Sequence, residues 1–319
     1  MTKRALITGI AGFAGSHLAR ELIGQGWIVS GIERYGAVLS NLTDLIYRVR
    51  VDECDILSSK DVGYVIRKQR PDTIFHLAGT SFVPDAQNAP QMAFEINVKG
   101  SLNMLEETRE NAPDAGVILI SSAEVYGDAD RSRMPLTEDN VFRPLNIYAL
   151  TKVCAEETAF YYHRVKGVKC VVLRPFNHIG PGQRASFVTS AFALQIARIE
   201  AGKQEPVLKV GNLEAARDFT DVRDMVRAYR MAAEHCEPAN PYNICSGRVY
   251  KIKEILDKLL ALSDAEIKIR QDPERMRDSE VPIFQGDRTR FTEATGWEPR
   301  FSIDETLKTI LDYWRDQVR

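Results

Sequence analysis

The chain has no apolar run near the ~20 residues that a membrane-spanning helix requires. Its first residues, "MTKRALITG", hold too short an apolar stretch for a secretory leader, and none is expected. Cysteine is scarce. The five cysteines (54, 154, 170, 236 and 245) are scattered and odd in number, without the paired spacing of a disulfide framework or a zinc site. No metal is therefore expected, and the thiols read as those of a reduced, cytoplasmic protein. Neither sign of charge is in excess. The 42 Lys and Arg face 44 Asp and Glu, a formal net charge of −2, which argues against a nucleic-acid or anionic-membrane partner. A local cationic pocket for a small phosphorylated molecule remains open. Internal repeats and low-complexity tracts are absent.

Hairpin signals are also rare in the first half, which alternates short β-rich runs with longer helical patterns. "RALIT", "WIVSGI", "VRVDECDI", "TIFHLAG", "GVILISS" and "VKCVVLRPF" read as strands. Between them run a helix after the first glycines, one ending near Arg70, a long one over about 92–111 and another over about 146–166. Nearly continuous apolar strands separated by helices predict a parallel, doubly wound α/β sheet covered on both faces. The rhythm breaks after Phe176. "NHIGPGQ" is loop chemistry, and a helix over about 187–201, "PVLKVGN", "EIKIRQD" and a final amphipathic helix predict a smaller second lobe. "NPYNICSG" reads as a strand returning to the main sheet.

The stretch "TGIAGFAG" places Gly9, Gly12 and Gly15, with Phe13 and Ala14, between the first strand and its helix. One glycine permits the tight turn, one lets a pyrophosphate approach the backbone, and one lets helix pack on sheet. The helix N-terminus supplies free N–H groups. Glu33 follows about 20 residues on, where an acidic side chain holds a ribose 2′-OH. Arg34 beside it could grip a 2′-phosphate, so NAD and NADP both remain open, with Arg34 inclining the choice toward NADP. Further on, "YALTK" sets Tyr148 and Lys152 on one helical face. An ammonium beside a phenol favours the phenolate and lowers its pKa. Ser122, in "SSAEVYG", ends the preceding strand and can bind the same carbonyl oxygen. Serine, tyrosine and lysine together suit hydride transfer to a ketone.

"TGIAGFAG", "FHLAG", "SSAEVYG" and "YALTK" together resemble the extended short-chain dehydrogenase/reductase family, with its Rossmann sheet. "RPFNHIGPGQ", "SFV", "KVGNLEAARDFTDVRD" and "RDSEV" are similar to its nucleotide-sugar enzymes that act on GDP-linked 4-keto-6-deoxy-mannose. The resemblance spans nearly the whole chain. It implies NAD(P)H-dependent reduction of the C4 ketone to GDP-D-rhamnose, with Tyr148 as general acid, Lys152 tuning it and binding the nicotinamide ribose, and Ser122 polarising the carbonyl. It implies cofactor contacts at Asp55, Ile56, Leu77, Ala78, Gly79 and His178. For the GDP-sugar it implies Ser81, Ser122, Glu124, Asn177, Phe187, Val188, Val210, Arg217, Arg277 and Glu280. Guanidinium forks such as Arg217 and Arg277 suit a diphosphate. It further implies a dinucleotide-binding domain of residues 1–176 plus about 218–246, and a nucleotide-sugar-binding lobe of 177–217 and 247–319. A homodimer would form through a four-helix bundle of the two long helices. His76 reads as structural.

The alternative is a GDP-mannose 4,6-dehydratase, in which Glu124 would remove the C5 proton. Against it stand Ser122 where those enzymes carry threonine, Ala123 where they carry serine, a "NHIGPGQ" loop without their arginine-rich segment, and the shorter chain.

Overall fold

The computed structural model describes residues 2–129, 133–275 and 281–319. Its centre is a seven-stranded parallel sheet built from β1 (Arg4–Thr8), β2 (Ile28–Glu33), β3 (Arg50–Glu53), β4 (Thr73–His76), β5 (Gly116–Ile120), β6 (Lys169–Pro175) and β10 (Pro241–Ile244), in the order β10-β6-β5-β4-β1-β2-β3. The predicted doubly wound sheet is thus present, and "NPYNI" does return to it as β10 beside β6. Strand order reverses between β1 and β4. The crevice beyond their carboxyl ends is where such sheets bind ligands.

Helices cover both faces because the strands are apolar on both. On one side α1 (Phe13–Gly24) and α8 (Val222–His235) bury Leu18, Leu22, Val226 and Tyr229 against Ile7, Phe75 and Ile118. On the other, α2 (Ser59–Gln69), α5 (Gly100–Asn111) and α6 (Ile147–Lys166) bury Val62, Ile66, Met104, Leu105 and Ala159 against Leu6, Ile74 and Val117. At about 25 cal/mol per Å² of apolar surface removed from water, these two interfaces are the main favourable contribution to folding.

The long helix predicted over 92–111 is present, with a π turn inside it. Short helices α3 (Val83–Asn88) and α4 (Pro90–Phe94) lead into a π turn, Glu95–Lys99, before α5 begins. A π turn inserts one residue without disturbing the apolar stripe on either side, so periodicity does not reveal it. By contrast α6 starts where the sequence indicates. The Asn146 side chain caps it by accepting the Ala149 N–H at 2.8 Å, and Gly167, at φ 77°, ends it.

The later segments form a second cluster. The strands β7 (Asn177–Ile179), β9 (Ala216–Asp221), β11 (Val249–Lys251) and β13 (Ile283–Phe284) make a mixed sheet, and β8 (Val207–Val210) pairs in parallel with β12 (Lys268–Gln271). The helices α7 (Val188–Glu200), α9 (Ile252–Leu260) and α11 (Ile303–Val318) enclose a separate core with Phe192, Ile196, Leu256 and Leu307. A short α10 (Thr289–Thr295) brings Phe291 and the buried Trp297 back against α8 and β10. Among the described residues, no helix is long and apolar enough to cross a membrane.

Candidate active site

The glycine turn lies at the β1 end of the crevice. Gly9 has φ 70°, and its N–H donates to the Ile32 carbonyl at 2.9 Å. A Cβ on Gly15 would lie 2.1 Å from the Gly9 carbonyl oxygen, so this position admits only glycine. No side chain caps α1 at Gly12, so the first-turn N–H groups beside Phe13 and Ala14 face the crevice for an anion. The turn therefore fits a dinucleotide pyrophosphate. Glu33 is half-buried and accepts the Ala11 N–H at 2.6 Å, which braces the turn from the second strand. Burial raises its carboxyl pKa against those backbone donors. Arg34, next to it, is exposed.

The floor of the crevice is a buried polar chain. Thr8 Oγ1 accepts the N–H groups of Leu77 at 3.1 Å and Ala78 at 2.9 Å, so its hydrogen points to His76 Nδ1, 2.9 Å away. That leaves His76 Nε2–H to donate to Ser101 Oγ at 3.1 Å, and Ser101 to donate to the Asn97 carbonyl at 2.7 Å. Burial, followed by the nearby Lys152 charge, depresses His76 to about 3, so the ring is neutral. His76 is structural, as read from the sequence. Asn97 sits on the π turn, accepts the Thr80 N–H at 2.8 Å and donates to Thr151 Oγ1 at 2.8 Å. It ties the Leu77–Ala78–Gly79 loop to α6. Asp55 caps the turn after β3 by accepting the Leu57 N–H at 2.9 Å, and Ile56 packs near Gly100.

Ser122, Tyr148 and Lys152 converge. Ser122 acts on the Tyr148 phenol by pulling its pKa down, and the Ser122 Oγ accepts the Glu124 N–H at 3.2 Å. Lys152 Nζ lies 5.9 Å from the centre of the Tyr148 ring and donates to the Ile120 carbonyl at 2.8 Å. The lowered phenol pKa expected from the sequence is not what the protein sets. Burial pushes Tyr148 up to about 12, Ser122 pulls it down, and the Glu124 charge pushes it up. The ammonium binds a carbonyl rather than the phenol oxygen. Burial lowers Lys152 itself to about 8, against a raising contribution from Glu156.

His178, on β7, stacks on Phe13 of the glycine turn, with ring centroids 5.8 Å apart and planes 5° apart. Asn177 beside it is exposed, as is Ser81. Phe187, at the start of α7, meets Phe82 edge to face at 5.3 Å, and Val188 follows it. Arg217, on β9, donates to the Ala216 carbonyl at 2.9 Å. Burial lowers its pKa and the Glu124 carboxylate opposes that shift, so Glu124 faces both Tyr148 and Arg217. The Val210 side chain lies in the core with Leu208 and Phe192. Arg277 and Glu280 lie outside the described residues.

Sequence reasoning missed Thr8, Asn97, Glu156 and Arg174. The last two carried a faint signal: charged residues on an otherwise buried helix face and in a buried strand. Charges are almost never fully buried unless paired.

The sequence profile described as GDP-mannose 4,6 dehydratase matches residues 6–310. The chain is similar to the GDP-6-deoxy-D-mannose reductase of Pseudomonas aeruginosa, 35% identical over 100% of this chain and 99% of that protein. It is also similar to the GDP-6-deoxy-D-talose 4-dehydrogenase of Aggregatibacter actinomycetemcomitans, 29% identical over 97% and 96%. Among solved structures, RMD from Pseudomonas aeruginosa complexed with NADPH superposes with a TM-score of 0.87 at 34% identity, covering 99% of this chain and 100% of that one.

Proposed function

The chain belongs to the GDP-mannose 4,6-dehydratase family, and from that premise we propose that it is an NAD(P)H-dependent reductase of GDP-4-keto-6-deoxy-D-mannose, forming GDP-D-rhamnose. The observation that carries this reading is the convergence of Ser122, Tyr148 and Lys152, with the Lys152 ammonium next to Gly79 of the cofactor loop. The full-length likeness to GDP-6-deoxy-D-mannose reductase favours reduction over dehydration. Glycine turn, Leu77–Gly79 loop and Phe13–His178 stack would hold the cofactor, which supplies the hydride when bound.

Reduction of the ketone then needs one proton on the C4 oxygen. A tyrosine with a pKa of about 12 is fully protonated at neutral pH, the state a donor requires. Tyr148 gives its proton to the oxygen as the C–H bond forms at C4. Ser122 donates a hydrogen bond to the same oxygen, and the Lys152 ammonium stabilises the phenolate left behind. General-acid assistance of this kind contributes on the order of 10²–10⁴-fold. Glu124 and Arg217 face the substrate side, where Arg217 would bind the diphosphate. Residues 1–176 with about 218–246 would hold the cofactor, and 177–217 with 247–319 the nucleotide sugar.

A homodimer is part of this reading. Leu102 on α5, and Leu150, Tyr161 and Val165 on α6, leave apolar side chains exposed along the two helices that would pair with a second copy. Tyr161→Glu is expected to shift the mass measured by light scattering from dimer to monomer. For the activity, mixing the protein with NADPH and GDP-4-keto-6-deoxy-D-mannose is expected to bleach the nicotinamide band and yield GDP-D-rhamnose by NMR. GDP-6-deoxy-D-talose as the product would overturn the stereochemical assignment. Consumption of GDP-mannose with oxidised cofactor, and none of the ketone, would overturn the reductase.

A further inference from the structure

Four residues beyond Lys152 on α6, the Glu156 side chain is fully buried. Its partner is Arg174, near the end of β6 between β5 and β10, whose side chain is also buried. Arg174 Nη2 donates to Glu156 Oε2 at 2.8 Å, and Nε reaches both carboxylate oxygens at 3.0 and 3.2 Å. Ser121 donates its hydroxyl to Oε1. Burial raises the carboxyl pKa, while the Arg174 guanidinium and the Ser121 hydroxyl oppose that shift by hydrogen bonding to the charged form.

The pair grips the segment Ser121–Gly127 at two points. Ser121 binds Glu156, while Arg174 Nη1 donates to the Tyr126 hydroxyl at 2.9 Å. Tyr126 passes its own hydrogen to Asn243 Oδ1 at 2.6 Å. The guanidinium lies 4.7 Å from the centre of Phe142. Between the two anchor points stand Ser122 and Glu124. On α6, Lys152 binds the Ile120 carbonyl while Glu156 binds the next residue, Ser121. One helix thus clamps consecutive residues of the strand end immediately before the Ser122 hydroxyl.

We propose that the buried Glu156–Arg174 pair is a positioning device for the catalytic set: it aims the strand end that carries Ser122, and it sets a carboxylate one helical turn from the Lys152 ammonium. This rests on the reductase reading for the identity of the reaction. The charged and titratable groups around the lysine are Tyr148 and Glu156 on its own helix, His76 on β4, Glu124 on the turn that follows Ser122, and Arg174 on β6. His76 is neutral, the Glu124 charge acts on Tyr148, and Arg174 acts through Glu156. Glu156 is left as the anion that offsets burial at Lys152.

The test compares two variants with the wild type. Glu156→Gln keeps the shape and an acceptor for Ser121 and Arg174. Glu156→Leu/Arg174→Met removes both charges and suits the apolar walls if the single variant fails to fold. NADPH fluorescence and a thermal melt identify folded protein. The first readout is the titration midpoint of the Lys152 ammonium by NMR of lysine-labelled protein, assigned by its loss in Lys152→Met. It needs no substrate. The midpoint is expected to fall by about one pH unit. The alkaline limb of kcat/KM for ketone reduction is expected to move with it, and kcat to drop about tenfold with KM for the sugar unchanged. A wild-type midpoint in a folded variant overturns the inference. Absence of ketone reduction by the wild-type protein would count against the proposed function instead and leave the midpoint comparison standing.

Discussion

Lys152 lies between two buried polar networks of opposite character. The chain Thr8–His76–Ser101–Asn97 contains no charge. Each hydroxyl and ring nitrogen is satisfied, and the chain fixes where β1, β4 and the π turn meet. The network Ser121–Glu156–Arg174–Tyr126–Asn243 is built around an ion pair and reaches the other side of the lysine through β5 and α6. The neutral chain sets geometry alone, because it holds no ionised group. The charged network can set geometry and ionisation together, because a buried charge acts in a low dielectric. An ammonium that burial pulls down to about 8 is opposed in that shift from the second side, by Glu156.

The largest expected effect comes from removing the group they flank. Lys152→Met should lower kcat by on the order of 10²–10⁴-fold, measured by steady-state oxidation of NADPH. In the wild type the same ammonium sets an alkaline limb. The charged form is present below about pH 8 and lost above it, so kcat/KM should fall as pH rises through that value. A flat profile up to pH 10 would erase the distinction between the networks.

A smaller effect is expected in the neutral chain. His76→Leu leaves the Ser101 and Thr8 hydroxyls without a ring partner and should cost about 1–3 kcal/mol of stability by denaturant unfolding. It should leave the alkaline limb in place. Its pH signature lies on the acid side. The ring holds no proton in the folded state until about pH 3 but takes one up from pH 6.5 when unfolded, so stability should decline as pH drops below 6.5. In His76→Leu that part of the decline should vanish. The smallest change is expected for Glu124→Gln, with ketone reduction largely preserved. A collapse comparable to that of the lysine variant would return Glu124 to the chemistry and revive dehydration.

Much of this was legible in the sequence, and the boundary follows a physical line. The glycine turn, the Tyr148–Lys152 spacing and the parallel order of strands depend on local spacing and on runs of one hydropathy. The two networks do not. Thr8 meets His76 across neighbouring strands, and Arg174 meets Glu156 between a strand and a helix packed on it. Such pairs become visible only once register and packing are known. The π turn escaped because one inserted residue leaves both flanking helical patterns intact, although it is what aims Asn97 at Thr80 and Thr151. The phenol pKa was misjudged for a related reason: spacing places an ammonium near Tyr148 but says nothing of the Ile120 carbonyl that binds it, nor of the burial that outweighs it. Val210, counted among the substrate contacts from resemblance, turns its side chain into the core of α7, α9 and α11.

The most direct measurement is a single turnover of Tyr148→Phe, followed by stopped-flow absorbance of NADPH mixed with the 4-keto sugar. The variant should bind NADPH as the wild type does, since the hydroxyl removed serves the incoming ketone. Its hydride-transfer rate should fall by on the order of 10²–10⁴-fold. A rate within a few-fold of wild type would show that the C4 oxygen takes its proton from another source.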